Sequence, residues 1–286
     1  MTIHILTDSS HYLDPVTIAK LKLHVLPLTL HLAGEDRRER VEVTTEALFE
    51  KLKERNAGWP TTAAVSPAAL CAAYDEFTRD GDEVVGVFMS RGTSVTVENA
   101  QAAAADHPHR DRIHVVDSLV VSGALALTLH VVAQRAAEGM AAADLVRVAR
   151  TMGERMRVMF TVDTLDYLHR GGRMKGSQAL VGTLLGIKPV LWLNEGRIEL
   201  WSKARGKKKA LDAMLEETLK AMPAGEPVRA VIFNAAAEGE AEAMGRELSE
   251  RVRVAKLDHV QIGPVVAAHV GPGCVAMAVC PESATC

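Results

Sequence analysis

Ile5-Leu-Thr-Asp8-Ser9, Val87-Phe-Met-Ser90, Val115-Val-Asp117-Ser118 and Phe160-Thr-Val-Asp163-Thr164 repeat one pattern: a short apolar run ends in an acid or a small hydroxyl, and a helical pattern follows. Short apolar runs alternating with helical periodicity are the signature of strands joined by crossover helices on a mainly parallel sheet. Strands are expected near residues 3–7, 24–32, 83–89, 113–117, 157–162, 188–193, 197–201, 228–234, 253–257, 263–269 and 274–279. The run Leu23 to Leu32 contains Pro27, which cannot donate to a ladder and so marks an edge strand or a bulge. Asn194-Glu-Gly-Arg197 lies between two apolar runs and reads as a hairpin turn, which makes the second half a mixed sheet.

The fold expected is therefore α/β in two domains. Residues 1–156 form an N-terminal mainly parallel sheet with flanking helices, and residues 157–286 a C-terminal mixed sheet with helices. The boundary follows two consecutive helices, at about 119–137 and 141–156. Ser66 before Pro67 supplies an N-cap hydroxyl and a proline at the first helical position, and Thr44-Thr45 before Glu46 opens a helix expected to end near Asn56. Glu35 to Glu42 carries both signs of charge and reads as a solvated loop.

A chain of 286 residues is comfortable for two domains, and 48% hydrophobic with 24% charged residues describes a globular protein whose 4% aromatic share leaves packing mainly to aliphatic side chains. A formal net charge of −3 gives no general attraction to nucleic acid or anionic lipid. Cys71, Cys274, Cys280 and Cys286 show no zinc-site spacing, and Met1 to Thr7 reads as a strand rather than a signal peptide, so a cytoplasmic location with free thiols is expected. Leu119 to Ala133 is the best membrane-span candidate, but Ser122, Gly123 and His130 interrupt it. No metal and no cofactor are expected.

In an open parallel sheet, ligands bind beyond the carboxyl ends of the strands. Asp8, Ser9, Ser90, Asp117 and Ser118 lie at such ends, each before a helix whose first N–H groups favour an anion. The plainer reading is that each caps its own helix. Thr62 and Ser94, in loops before helices, are the candidate anion contacts, since hydroxyls can hold a carboxylate without formal charge. His269, read at a strand end before Val270-Gly-Pro-Gly273, either points into the crevice or is a satisfied strand-end histidine; Gly271 and Gly273 allow a close backbone approach there. In Tyr167-Leu-His-Arg-Gly-Gly-Arg173 the glycines are the usual helix stop, and Arg173 is placed to reach an acidic group. Arg205-Gly-Lys-Lys-Lys209 opens a helix and reads either as a solvated start or as a phosphate or partner contact.

Over about residues 3–280 the chain resembles the DegV family, the fatty-acid-binding proteins of the bacterial fatty acid kinase system. The resemblance rests on Tyr167-Leu-His-Arg-Gly-Gly-Arg-Met174, Leu184-Leu-Gly-Ile-Lys-Pro-Val190, Glu195-Gly-Arg-Ile198 and Lys203-Ala-Arg-Gly-Lys207 in that order. Thr7-Asp-Ser-Ser10, Val25-Leu-Pro-Leu28, Val116-Asp-Ser118 and His269-Val-Gly-Pro-Gly273 agree as well. It implies a two-domain α/β carrier, not an enzyme, that holds a long-chain fatty acid in a tunnel and offers its carboxylate to a separate ATP-dependent kinase for acyl phosphate formation and phospholipid synthesis.

The family's headgroup loops place the carboxylate contacts on Thr62, with Thr61 if the loop is shifted, on Ser94 and on His269. Asp8, Ser9, Ser90, Thr96, Asp117, Ser118, Arg173, Arg205, Gly271 and Gly273 are expected behind them or facing the partner. Ala63, Ala64 and Val65 replace the family's Ser, Gln and Pro, while Arg91 and Val95 replace Ser and Gly. Losing glycine at Val95 removes freedom for positive φ, and Arg91 adds a charge beside the anion. Val120 to Val132 and Leu180 to Leu185 are candidates to line the tunnel. Transient contact with a membrane surface is compatible with this reading; nucleic acid is not expected.

The competing activity is a serine hydrolase acting on a lipid-like ester, using Ser94 or Ser118 with His269, although no Gly-x-Ser-x-Gly elbow is present. A nucleotide-binding kinase lacks its phosphate cradle, since neither Walker A nor Gly-x-Gly-x-x-Gly follows the first strand.

Overall fold

The computed structural model describes residues 2–54, 58–174 and 186–286. Four parallel strands, in the order Leu23–Leu26, Ile3–Asp8, Glu83–Phe88, Ile113–Asp117, form the first sheet. A mixed six-stranded sheet runs Arg197–Arg205, Ile187–Asn194, Arg157–Thr161, Cys274–Pro281, Val228–Ala235, Val254–Gln261, with only the last pair parallel. The hairpin turn at Glu195-Gly196 joins its first two strands as the sequence suggests, both residues having positive φ. Thr29–Leu32 pairs antiparallel with Glu35–Arg38 and Thr61–Ala63 in a small third sheet.

The helices Gly123–Ala137 and Ala142–Arg155 make the middle layer. The second packs on the first sheet and on Cys274–Pro281, and the first packs on Val228–Ala235 and Cys274–Pro281. A helix covered on nearly all sides should be apolar all round. The first half of Gly123–Ala137 meets that demand, with every residue from Gly123 to Leu129 buried, while Gln134 and Arg135 mark its more exposed last turns.

Alternation sorts the six-stranded sheet into two buried faces. Met159, Ile232, Val275 and Met277 pack with Met214 and Leu248 of the helices Lys207–Lys220 and Glu238–Arg251. Val158, Phe160, Phe233 and Ala276 point the other way, into the larger core shared with the first sheet.

Helix caps follow the sequence: Ser66 accepts from Ala69 N at 3.2 Å, with Pro67 at the first helical position, and Thr44 accepts from Ala47 N at 3.2 Å. The helix opened by Thr44 is Thr45–Leu52, shorter than expected, and Asn56 lies outside the described residues, as do Leu180 to Leu185.

Three expectations need correction. The run 24–32 is two strands, Leu23–Leu26 and Thr29–Leu32, in different sheets, because Pro27 lacks a donor and Leu28 N donates instead to Ser9 Oγ at 3.0 Å. The run 263–269 is a helix, Pro264–Val270: proline fits the first turn, and the Glu39 carboxylate accepts from Val265 N at 2.7 Å. The charged stretch 35–42 is not simply a solvated loop. Glu35–Arg38 is an exposed strand, whereas Glu39 is wholly buried.

Candidate functional site

A cavity of about 420 Å³ opens where the three sheets and the helix Pro264–Val270 meet. Its volume falls in the range of small-molecule sites, roughly 300–1,000 Å³. Alternate residues of the six-stranded sheet line it: Val158 and Phe160, Phe233, Cys274 and Ala276. The hairpin adds Leu193 and Ile198, and the helix adds Val265, Val266 and Val270. The walls are therefore mostly apolar.

Thr62, Ser94, Arg173 and His269 all line this one cavity. Thr62 is on the strand Thr61–Ala63, opposite Leu30, rather than in a loop before a helix; the β-branched Thr61-Thr62 pair suits a ladder. His269 sits in the last turn of Pro264–Val270 rather than at a strand end. Its Nε2 lies 2.9 Å from Thr62 Oγ1. Its Nδ1 is buried without a hydrogen-bond partner among the described residues.

Burial, helped by the nearby Arg173 charge, lowers the His269 pKa to about 4, so the imidazole is neutral at pH 7. A proton on Nε2 is donated to Thr62 Oγ1, which leaves the threonine hydrogen for an acceptor in the cavity. A proton on Nδ1 turns the threonine into the donor.

Arg173 donates from Nε to Thr93 O at 3.3 Å and from Nη1 to Gly171 O at 2.6 Å. Among the described residues it pairs with no carboxylate, and burial lowers its pKa. A cation held by backbone carbonyls and left without a counter-ion favours an anion beside it. Ser94 Oγ shares a 2.9 Å bond with Thr96 Oγ1 and accepts from Thr96 N at 3.3 Å, so the hydroxyl is fixed in the loop that Arg173 grips through Thr93.

Gly171 joins the two halves of this cluster, a role sequence reasoning did not find. A Cβ there would stand 2.2 Å from His269 Nδ1, although the backbone φ of −71° would accept any residue. The helix-stop reading suits Gly172, at φ +67°, and says nothing of Gly171. Gly171→Ala is expected to push the imidazole off Thr62 and weaken ligand binding while the fold persists; an unchanged His269 resonance in NMR spectra of the variant would count against this.

The remaining predicted residues do not line the cavity. Thr61 is exposed on its strand, and Thr96 is buried behind Ser94. Asp8 is buried, accepts from Met89 N at 2.8 Å and from Ser10, and its pKa is raised by that burial. Ser9 donates to Glu39 Oε2 at 2.5 Å. Ser90 donates to Gly196 O at 2.8 Å and so docks the hairpin turn, and Gly92 also lies against Gly196. Ser118 exchanges bonds with Val120 at 3.2 and 3.3 Å.

Asp117 holds Arg91 in an ion pair at 2.7 Å, so the charge that Arg91 brings to the cavity wall already has a counter-ion. Val95 takes φ −86°, ψ 13°, a backbone open to any residue, so its loop runs without positive φ at that position. Arg205 is exposed at the end of its strand. Gly271 lies under the Tyr167 ring, and the space a Cβ would need at Gly273 is held by the Asp163 carboxylate.

Glu39 is the other residue that the sequence hid. It accepts from Ser9 Oγ, from Tyr12 OH at 2.9 Å and from Val265 N, and Tyr12 OH accepts in turn from Val266 N at 3.1 Å. The helix bearing His269 is thereby pinned to the loop after the first strand.

No serine is hydrogen-bonded to His269 among the described residues: Nε2 meets Thr62, while the Ser94 and Ser118 hydroxyls are engaged by Thr96 and Val120. Among those residues no group of three or more His, Cys, Asp or Glu side chains could hold a metal, and no helix is long and apolar enough to cross a membrane. The arrangement can bind an anion with an apolar tail.

The family model described as "uncharacterised protein, DegV family" matches residues 2–282. A DegV domain-containing protein of Streptomyces coelicolor is 34% identical over 277 residues, covering 96% of this chain and 97% of its own. Among solved structures, a fatty-acid-binding DegV family protein from Thermus thermophilus superposes with a TM-score of 0.92 at 32% identity, over 98% of this chain and 100% of that one. DegV of Bacillus subtilis, a fatty acid binding protein, does so with a TM-score of 0.85 at 29% identity, over 99% and 100%.

Proposed function

The chain belongs to the DegV family, and from that premise we propose that it encloses a long-chain fatty acid in the cavity and presents the carboxylate to a separate ATP-dependent kinase, catalysing no reaction itself. The observation that carries this reading is the meeting of Thr62, Ser94, His269 and Arg173, the last without a carboxylate partner among the described residues, on one mostly apolar cavity. Each methylene buried contributes about 0.8 kcal/mol, so the tail dominates affinity while the polar cluster orients the headgroup. Arg173 supplies the counter-charge, and the hydroxyls of Thr62 and Ser94 supply donors that replace water.

The fatty-acid-binding relatives support this assignment of ligand class. The kinase partner, acyl phosphate as its product, a cytoplasmic setting and transient contact with a membrane surface extend the same reading. The exposed Arg205 is assigned to the partner-facing surface.

Mass spectrometry of small molecules extracted from the natively purified protein is expected to find a long-chain fatty acid at near-stoichiometric amount; finding none, with no uptake of added fatty acid, overturns the proposal. The kinase half is tested separately. Thr62→Val combined with Ser94→Ala is expected to lower acyl phosphate formation by a fatty acid kinase about tenfold or more, each lost hydrogen bond to a charged group being worth about 1.5–3 kcal/mol. Unchanged kinase turnover at saturating loaded carrier would remove these residues from the headgroup site.

A further inference from the structure

Ser122 also lines the cavity, yet its side chain is fully buried and its Oγ has no hydrogen-bond partner among the described residues. It is the N-cap residue of Gly123–Ala137, a helix of 15 residues, and makes no side-chain cap bond. The first bond of that helix runs from Ala126 N to Ser122 O. Among the described residues the N–H groups of Gly123, Ala124 and Leu125 meet no acceptor, although all three residues are buried. A buried helix start ordinarily has partners for these groups. Ser122 therefore brings a hydroxyl to a mainly apolar stretch of the cavity wall, with the N-terminal end of a helix directly behind it.

We propose that Ser122 and the first turn of Gly123–Ala137 form a second polar subsite of the cavity, which accepts a neutral oxygen carried along the acyl chain, as in a hydroxy or oxo fatty acid. The proposal rests on the fatty-acid reading and deepens it. Neutrality follows from the surroundings: Phe233 and Val231 crowd Gly123, Arg91 is paired with Asp117, and Arg173 is already assigned to the headgroup carboxylate. A second carboxylate in that apolar setting would take up a proton or stay in water. A hydroxyl or ketone oxygen escapes this penalty and meets Ser122 Oγ as donor or acceptor, with the positive end of the helix behind it. Ser122 holds its place at φ +62°, ψ −135°, a conformation glycine would adopt freely.

Isothermal titration of the delipidated full chain with octadecanoic acid and with a positional series of monohydroxyoctadecanoic acids tests the subsite. In the wild type at least one isomer is expected to bind about tenfold more tightly than its positional neighbours, a gain of the size one hydrogen bond gives. Ser122→Ala is expected to abolish most of that advantage while leaving octadecanoic acid unaffected. Ser122→Gly should do the same with thermal stability kept or raised, which separates loss of the hydroxyl from loss of fold. A series with no favoured position, or a favoured position unchanged in both variants, overturns the subsite and leaves the carrier reading intact. Failure of octadecanoic acid to bind the wild type overturns the carrier reading and the subsite together.

Discussion

Arg173→Met is expected to lower affinity for a saturated long-chain fatty acid by about 30-fold or more, since removing one partner of a desolvated charge pair costs about 2–5 kcal/mol. The loss should be confined to the acid. The matching long-chain alcohol, which buries the same tail and carries no charge, should bind the variant and the wild type alike. Among the described residues the guanidinium donates to the carbonyls of Thr93 and Gly171 and to no carboxylate, so its removal strands no described carboxylate and the fold should persist. A second readout is independent of the ligand. Burial is the main cause that lowers the His269 pKa and the Arg173 charge is the next, so the imidazole pKa should rise in the variant. Equal losses for acid and alcohol would mean that Arg173 shapes the cavity rather than recognising the headgroup.

The sequence disclosed the parts of this site whose signals are local. Parallel strands such as Glu83–Phe88 announce themselves by an apolar run before a helix, and the hairpin by Glu195-Gly196 between two such runs. Ser66-Pro67 fixes its helix start for equally local reasons. The run 263–269 failed because valine and alanine in a short apolar stretch suit a strand and a buried helix equally. The arbiter is the Glu39 carboxylate, which lies 226 positions away.

Glu39 was misread for a related cause: a charge-rich stretch reveals its formal charge, whereas burial depends on what packs over it. His269 and Thr62 were named as candidates from their local sequence and again from the family motifs, but their contact across 207 positions belongs to the tertiary fold. For Gly171 the motif was visible and its local explanation, a helix stop, was sufficient for the pair. Only the position of the imidazole shows that one of the two glycines serves a different end.

Burial raises the Glu39 pKa from 4.5 to about 7, so the folded chain retains a proton there that the unfolded chain has released above about pH 4.5. The consequence for stability has a definite sign. Wherever the folded state binds more protons than the unfolded state, stability falls as pH rises. The Glu39 contribution is therefore complete below about pH 4.5 and declines until the pH has passed about 7, by roughly 3 kcal/mol across that window. Asp8, also buried with its pKa raised, slopes the same way in its own range.

Glu39→Gln removes the titration while keeping a carbonyl oxygen for Val265 N, so urea unfolding from pH 4.5 to 8.5 should show a flatter stability profile in the variant. Its disadvantage should be greatest at the acid end and should shrink or reverse above pH 7. Glu39→Ala, by contrast, leaves Ser9, Tyr12 and Val265 N without their acceptor and is expected to cost about 3 kcal/mol or more at every pH. Because the helix pinned by Glu39 carries His269 in its last turn, fatty acid affinity should weaken with stability in the alanine variant and survive in the glutamine variant. Parallel pH profiles for the wild type and Glu39→Gln would show that the carboxyl group titrates as an ordinary surface acid, and the anchoring role assigned to it would fall.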